Sequence, residues 1–382
     1  MRNYSFRSIF TILSINIFVI VGLIISPSIF LFSFRKINSL INKEVSIDPR
    51  ALYPIYKNKE ISRSLYNQNK PSEYRSYIGW RRKPINLKYI KICNKYNNRY
   101  SSGESLKNST WFFGGSTMCG TGVRNEGTIP SIFHKKTKKK VFNFGESAWT
   151  SRQSLNQLIS VIGDGYKPKE IIFYDGINEV LTGCKSIVKK VPTNARENQI
   201  NNALINSISG KYMSRALIKK LIERVAEPYM IINKKIRGNE NNKSNFLRNY
   251  NCDYDSIKAN QIASHLVNDW FISYTIAKSI NANFIAILQP TIYSSNTNYN
   301  YFTNKEKERV KALKVQYETV YPLILEKISD KCKLNKEFCN SFLNGIKWID
   351  DSESKVFLDT FHVSEKGNEM IVNALLSHIK NK

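Results

Sequence analysis

Apolar and polar positions fall into three regimes along the chain. From Ser8 to Phe34 there is no charged side chain, and Ile9–Ile25 is almost wholly apolar. That length and composition predict a helix able to cross a bilayer, since a helix pairs its own backbone groups in lipid. From about 36 to 70 the pattern turns polar and rich in Asn, Lys and Ser, as a stalk would. From Ser109 onward, short apolar runs alternate with amphipathic stretches. Thr110–Phe113, Lys140–Phe144, Glu170–Tyr174 and Asn283–Leu288 read as buried strands, and Ile346–Ile349 as a fifth. Helices are predicted over Gly127–Lys135, Ser151–Ile162, Ser256–Ile280, Lys305–Lys331 and Ser364–Ile379, the last with Ser364 as N-cap. Leu155, Leu158, Ile159 and Ile162 show the i, i+3, i+4, i+7 spacing of one helix face.

Strands alternating with helices predict a parallel sheet covered on both faces. Ligands in such sheets bind beyond the carboxyl ends of the strands. Residues 180–255 break the alternation and read as a helical insertion, with a mobile stretch over 231–251. The expected organisation is an anchor over 1–35, a stalk and lead-in over 36–107, and an α/β domain over 108–382. Within the lead-in, Tyr74–Lys91 is dense in aromatic and basic residues, among them Tyr74, Tyr77, Trp80, Arg81, Arg82 and Tyr89. It reads either as packing against the domain's edge or as a surface for a sugar or an anionic polymer.

Arg2 and Arg7 precede the apolar run, and Arg35, Lys36 and Lys43 follow it. The two flanks are nearly matched in charge, so the positive-inside comparison sets no orientation. Pro27 marks the far end. The apolar region is too long for a cleaved signal peptide and lacks a small-x-small site at its end, so an uncleaved anchor with the large domain exported is expected.

The 382 residues carry 58 Lys and Arg against 30 Asp and Glu, a formal charge of +28, with 42% hydrophobic residues. The apolar share excludes wholesale disorder. The charge suggests an anionic partner, although the abundance of Lys, Asn, Ile and Ser matches compositional drift equally well. No nucleic-acid-binding motif is present, and nucleic acid is not expected as a partner. Six cysteines are too few for a disulfide scaffold. Cys332 with Cys339, and Cys184 with Cys252, are candidate bridges in an oxidising compartment. The four histidines are scattered, with no metal-ligand spacing, so neither metal nor cofactor is expected.

Four short stretches carry the chemistry: Gly114-Gly115-Ser116-Thr117, Asn143-Phe144-Gly145-Glu146, Asp175-Gly176-Ile177-Asn178-Glu179 and Asp359-Thr360-Phe361-His362. Three follow apolar runs. Ser116, behind two glycines, is an accessible hydroxyl on a tight turn, and it needs a base. His362 supplies one, and Asp359, three residues earlier, reaches back to fix its tautomer. The Ser116 and Gly145 N–H groups and the Asn178 amide are candidate oxyanion donors. Cys119 has no histidine placed to serve it. His134, His265 and His378 read as helix residues.

Ser, Gly, Gly-x-Asn and Asp-x-x-His blocks in that order resemble the SGNH (GDSL-like) hydrolase superfamily, over roughly Ser109 to the C-terminus. The Leu288-Gln289-Pro290 turn is similar too. The resemblance implies a flavodoxin-like three-layer α/β/α fold and metal-free serine esterase or acyl-transfer activity. It implies Ser116 as nucleophile, His362 as base, Asp359 as its orienter, and Gly145 and Asn178 completing the oxyanion hole. Two departures stand out: the usual Gly-Asp-Ser opening is Gly-Gly-Ser, and Glu179 replaces Asp in the third block. The expected function is an anchored esterase acting on acyl groups of a cell-surface glycan, an anionic one where the basic charge reflects its partner. An O-acyltransferase in polysaccharide assembly and a non-catalytic glycan-binding protein remain open beside it.

Overall fold

Alternate side chains along each central strand point to opposite cores, and this sorts the whole α/β unit. The computed structural model describes residues 6–41, 48–66, 71–93, 95–208, 222–229, 249–350 and 355–380. The chain divides into two units, one of residues 1–45 with 198–244 and the other of 46–197 with 245–382. In the larger unit, β1 (Thr110–Gly114), β2 (Val141–Asn143), β3 (Glu170–Asp175), β4 (Asn283–Leu288) and β5 (Phe342–Asn344) form one sheet in the order β2-β1-β3-β4-β5. All four pairings are parallel. Trp111, Phe113, Ile171, Phe173, Phe284 and Ala286 face one core, and Phe112, Ile172, Tyr174, Ile285 and Ile287 the other. That is the period-two pattern of strands buried on both faces.

The helices include α1 (Phe6–Ile41), α2 (Lys59–Tyr66), α3 (Ser116–Cys119), α4 (Ile129–Thr137), α5 (Ser151–Gly163), α6 (Ile177–Gly183), α7 (Glu197–Ile208), α8 (Ser256–Ser279), α9 (Asn304–Leu334) and α10 (Glu365–Lys380). Leu158 and Val161 of α5, Trp270 of α8 and Val320 of α9 cover the first face. Phe133 of α4 and Ile371 and Leu375 of α10 cover the second. The result is the expected three-layer α/β/α sandwich. Ser364 caps α10, its Oγ accepting the Gly367 N–H at 3.2 Å.

Two expectations need correction. The fifth strand is Phe342–Asn344, not Ile346–Ile349. Its pairing with β4 ends where Gly345 N–H meets the Leu288 carbonyl at 3.0 Å, and the chain turns there. Ile349 is apolar because it packs in the second core from that turn. The polar stretch after α1 is not a free stalk in its described part. Residues Pro49–Leu52 form a 3-10 turn and α2 follows; Ala51, Tyr53 and Leu65 are buried. The lead-in folds against the sheet as a hairpin, Ser72–Arg75 with Gly79–Arg82, followed by a short pair bridged to β2 through Arg99 and Asn143.

Both candidate disulfides are present, Cys184–Cys252 and Cys332–Cys339. The first closes the insertion at its base, across a sequence separation of 68. In the chain-entropy model, a loop of that length lowers unfolded-state freedom by about 4 kcal/mol. Inside the loop lie α7 and a helical segment at 222–229. The stretch expected to be mobile lies outside the described residues up to 248, as does Lys43 near the anchor.

In the smaller unit, Leu13–Arg35 of α1 is long and apolar enough to cross a membrane. At 1.5 Å per residue it spans about 35 Å, against a hydrocarbon core of about 30 Å. Its apolar side chains are exposed, Phe18 to 80% and Phe30 to 72%, and Pro27 lies within the helix.

Candidate active site

Strands β1, β2 and β3 end at Gly114, Asn143 and Asp175, and their following turns meet at one edge of the sheet. Ser116 opens α3, directly after β1. From the far end of the sequence, the loop before α10 brings His362 to it: Nε2 lies 2.7 Å from Ser116 Oγ. His362 Nδ1 lies 2.7 Å from Asp359 Oδ2 and 2.9 Å from Oδ1. A carboxylate can only accept, so Nδ1 carries the hydrogen. Nε2 then accepts from the serine hydroxyl.

Asp359 is buried and fully engaged. Its Oδ1 also accepts the Phe361 and His362 backbone N–H groups at 2.9 and 2.8 Å. Arg50 Nη1 donates to Oδ2 at 2.7 Å. Burial alone raises a carboxyl pKa. Here the charge and hydrogen bonds of His362, then Arg50, outweigh it and hold Asp359 well below the usual carboxylate range. Arg50 is fixed in turn by Asp48, through Nη2 at 2.7 Å and Nε at 3.0 Å. Its guanidinium lies 4.5 Å over the Tyr66 ring. Sequence reading missed Arg50 because nothing in a polar stretch marks one arginine out.

The oxyanion side differs from expectation at one residue. The Gly145 N–H is not free: it donates to Asn143 Oδ1 at 2.9 Å. Gly145 is required for packing instead, since a Cβ there would stand 2.6 Å from the Cys119 nitrogen. Three residues on, Ala148 adopts φ +61°, a left-handed conformation alanine rarely takes. Its N–H makes no hydrogen bond to any described residue. The Ser116 N–H is likewise unpaired among the described residues. Asn178 Nδ2 donates one hydrogen to the Trp149 carbonyl at 2.7 Å, which leaves its second for a ligand.

The same amide explains the Gly-Gly-Ser opening. A Cβ at Gly115 would come within 2.1 Å of Asn178 Nδ2 and 3.3 Å of the Trp149 oxygen. An aspartate at 115 therefore collides with the asparagine as placed. Glu179, the other departure, ties two turns together by accepting the Ser151 N–H at 2.6 Å and the Gly176 N–H at 2.8 Å. Burial raises the Glu179 carboxyl, and raises Asp175 with Glu179's charge adding to it.

The other singled-out residues lie elsewhere. Cys119 is buried, with Arg82 Nη1 3.1 Å from its sulfur. His134 and His378 bond to nearby carbonyls on exposed helix surface. His265 borders a small cavity with Asp269. Among the described residues, no group of three or more His, Cys, Asp or Glu is placed to hold a metal.

Parallel strands deliver Ser116, the glycine-containing turn and Asn178 to one sheet edge, and the loop before α10 brings His362 there, in the chain order of the SGNH plan. A model of the GDSL-like lipase/acylhydrolase family matches residues 111–375, and the chain belongs to that family. No curated protein matches the chain. Among solved structures it is similar to Est24, a carbohydrate acetylesterase from Sinorhizobium meliloti, at 10% identity over 72% of this chain and 99% of that one, TM-score 0.37. It is similar to a member of the lipolytic protein G-D-S-L family from Veillonella parvula, at 9% identity with the same coverages and TM-score. A GDSL-like lipase from Bacteroides thetaiotaomicron follows at 11% identity, over 72% and 88% of the two chains, TM-score 0.36.

Proposed function

We propose that this protein is a membrane-anchored serine esterase that removes acyl groups from a cell-surface glycan through an acyl-enzyme. The observation that carries the reading is the unbroken hydrogen-bonded chain from Ser116 Oγ through His362 to Asp359. As the serine oxygen attacks the ester carbonyl, its proton moves to His362 Nε2. Asp359 stabilises the resulting imidazolium and holds its ring in place. The developing oxyanion takes hydrogen bonds from the Ser116 N–H and the second Asn178 amide hydrogen. The Ala148 N–H serves in place of Gly145. Collapse breaks the ester bond, and His362 returns the proton to the leaving sugar hydroxyl. Water, deprotonated by the same imidazole, then attacks the acyl-enzyme; the acyl–Oγ bond breaks, His362 returns the proton to Ser116 Oγ, and the acyl group leaves as a carboxylic acid. Arg50 positions Asp359.

The apolar helix supports an anchor, and two disulfides suit an exported domain. Hydrolysis of p-nitrophenyl acetate by the full chain tests the chemistry. Ser116→Ala should lower kcat by about 10⁴-fold or more while leaving the thermal transition unchanged. Turnover surviving in that variant rejects Ser116 as nucleophile.

A further inference from the structure

Two buried arginines of the α/β unit, and a third nearly buried, gather on one side of the serine turn. Arg81 and Arg99 are 0% and 1% exposed, and Arg82 is nearly buried beside them. Among the described residues two carboxylates act on this group: Glu146, its Oε1 3.5 Å from Arg82 Nε, and Glu126, whose charge acts on Arg99. Arg81 has only neutral partners, the Phe144 carbonyl at 3.3 Å and Gln157 Oε1 at 3.2 Å. Its Nε and Nη2 have none among the described residues. Arg99 reaches one carbonyl, of Val123, at 3.0 Å. Burial lowers both guanidinium groups to about 10, so both stay charged at neutral pH. Three arginines against these two carboxylates leave a net positive charge; buried charge in excess of its partners is costly, and an anion arriving from outside offsets that cost.

Arg81 and Arg82 stand in the wall of a cavity of about 220 Å³, with Trp80, Trp149, Arg196 and Glu146, the last paired with Arg82; Ala148 lines it too. The Arg196 guanidinium lies 5.7 Å over the Trp80 ring and makes no ion pair among the described residues. Ala148 and Trp149 belong to the loop that meets Gly115 and Asn178, so the cavity adjoins the seat of the reacting ester. Its volume is below the roughly 300–1,000 Å³ of pockets for drug-sized ligands and suits one sugar ring.

We propose that this cavity is the subsite for an acidic sugar, a pyranose ring stacked on Trp80 with its carboxylate on Arg196 in the field of Arg81 and Arg82. Aromatic faces and planar guanidinium forks are the groups that hold a ring and a carboxylate together. The inference rests on the esterase reading only in assigning the sugar as the carrier of the ester. It also gives the Trp80–Arg82 hairpin strand a task beyond packing.

The test uses the full chain in detergent with Ser116→Ala, so that no turnover interferes. Tryptophan fluorescence is titrated with trigalacturonic acid and, separately, with neutral cellotriose. Saturable binding of the acid alone is expected. It should weaken about tenfold or more with Arg196→Ala or Trp80→Ala, as for loss of a charge-assisted contact, and weaken with added salt. Arg196→Lys should keep most of it. Equal binding of cellotriose, or binding unaffected by both substitutions in folded protein, overturns the subsite. Absence of any esterase activity alongside intact, substitution-sensitive binding of the acid rejects the esterase reading and leaves the subsite standing.

Discussion

Replacing Arg50 with alanine removes a cation that touches the carboxylate behind the catalytic imidazole. The path is short: Arg50 Nη1 to Asp359 Oδ2 is 2.7 Å, and Oδ2 to His362 Nδ1 is 2.7 Å. The guanidinium nitrogen and the ring nitrogen are thus about 5 Å apart. At an effective dielectric of about 40, fitting a side chain 29% exposed, repulsion between guanidinium and imidazolium is about 1.5 kcal/mol. Arg50→Ala removes that repulsion, which a positively charged ring feels and a neutral ring does not. The acid limb of kcat/KM for p-nitrophenyl acetate should therefore move up by about one pH unit. Glu306 and Arg309 of α9, and the phenols of Tyr56, Tyr66, Tyr293 and Tyr301, also face this carboxylate or its neighbours and stay in place. Arg50→Lys keeps the charge but loses the fork to Asp48. Its acid limb should lie near wild type even where its Tm drops. The assay is kcat/KM from pH 5 to 9 for all three proteins, with folding checked by circular dichroism. A limb that stays put in folded Arg50→Ala refutes electrostatic coupling and reduces Arg50 to packing.

Two further outcomes follow from the same geometry. Asn178→Ala removes an oxyanion donor and should lower kcat by about 10²–10³-fold with KM little changed, read from steady-state kinetics. The Asp359 carboxyl is depressed in the folded protein relative to its ordinary 3.8. Its ionised form therefore stabilises the fold fully above that value, and the stabilisation fades as pH falls below it toward the folded pKa. The Tm gap between wild type and Asp359→Asn should shrink from pH 6 to pH 3; a constant gap contradicts the assignment.

Most of the fold was legible because its signals are local. Apolar runs such as Glu170–Tyr174, followed by glycine or a capping residue, mark strand ends whatever the rest of the chain does. The Ser116, Gly145 and Asn178 turns were found for that reason, and His362 by its spacing from Asp359 just before the last helix. What escaped depends on contacts remote in sequence or on backbone conformation. Arg50 meets Asp359 across 309 positions, and no periodicity announces it. Gly145 looked like the free donor because glycine suggests an open backbone. Instead the side chain two residues earlier occupies its N–H, and the unusual conformation falls on Ala148. Ile346–Ile349 resembled a strand because a turn packed into a core carries the same apolar residues.

The most direct test of Ser116 as an activated nucleophile is labelling of the full chain with a fluorophosphonate probe, followed by peptide mass spectrometry. One phosphonyl adduct on Ser116 is predicted, lost when the protein is denatured first and lost in His362→Ala. An unlabelled Ser116 in folded protein, or an adduct that persists without His362, contradicts it.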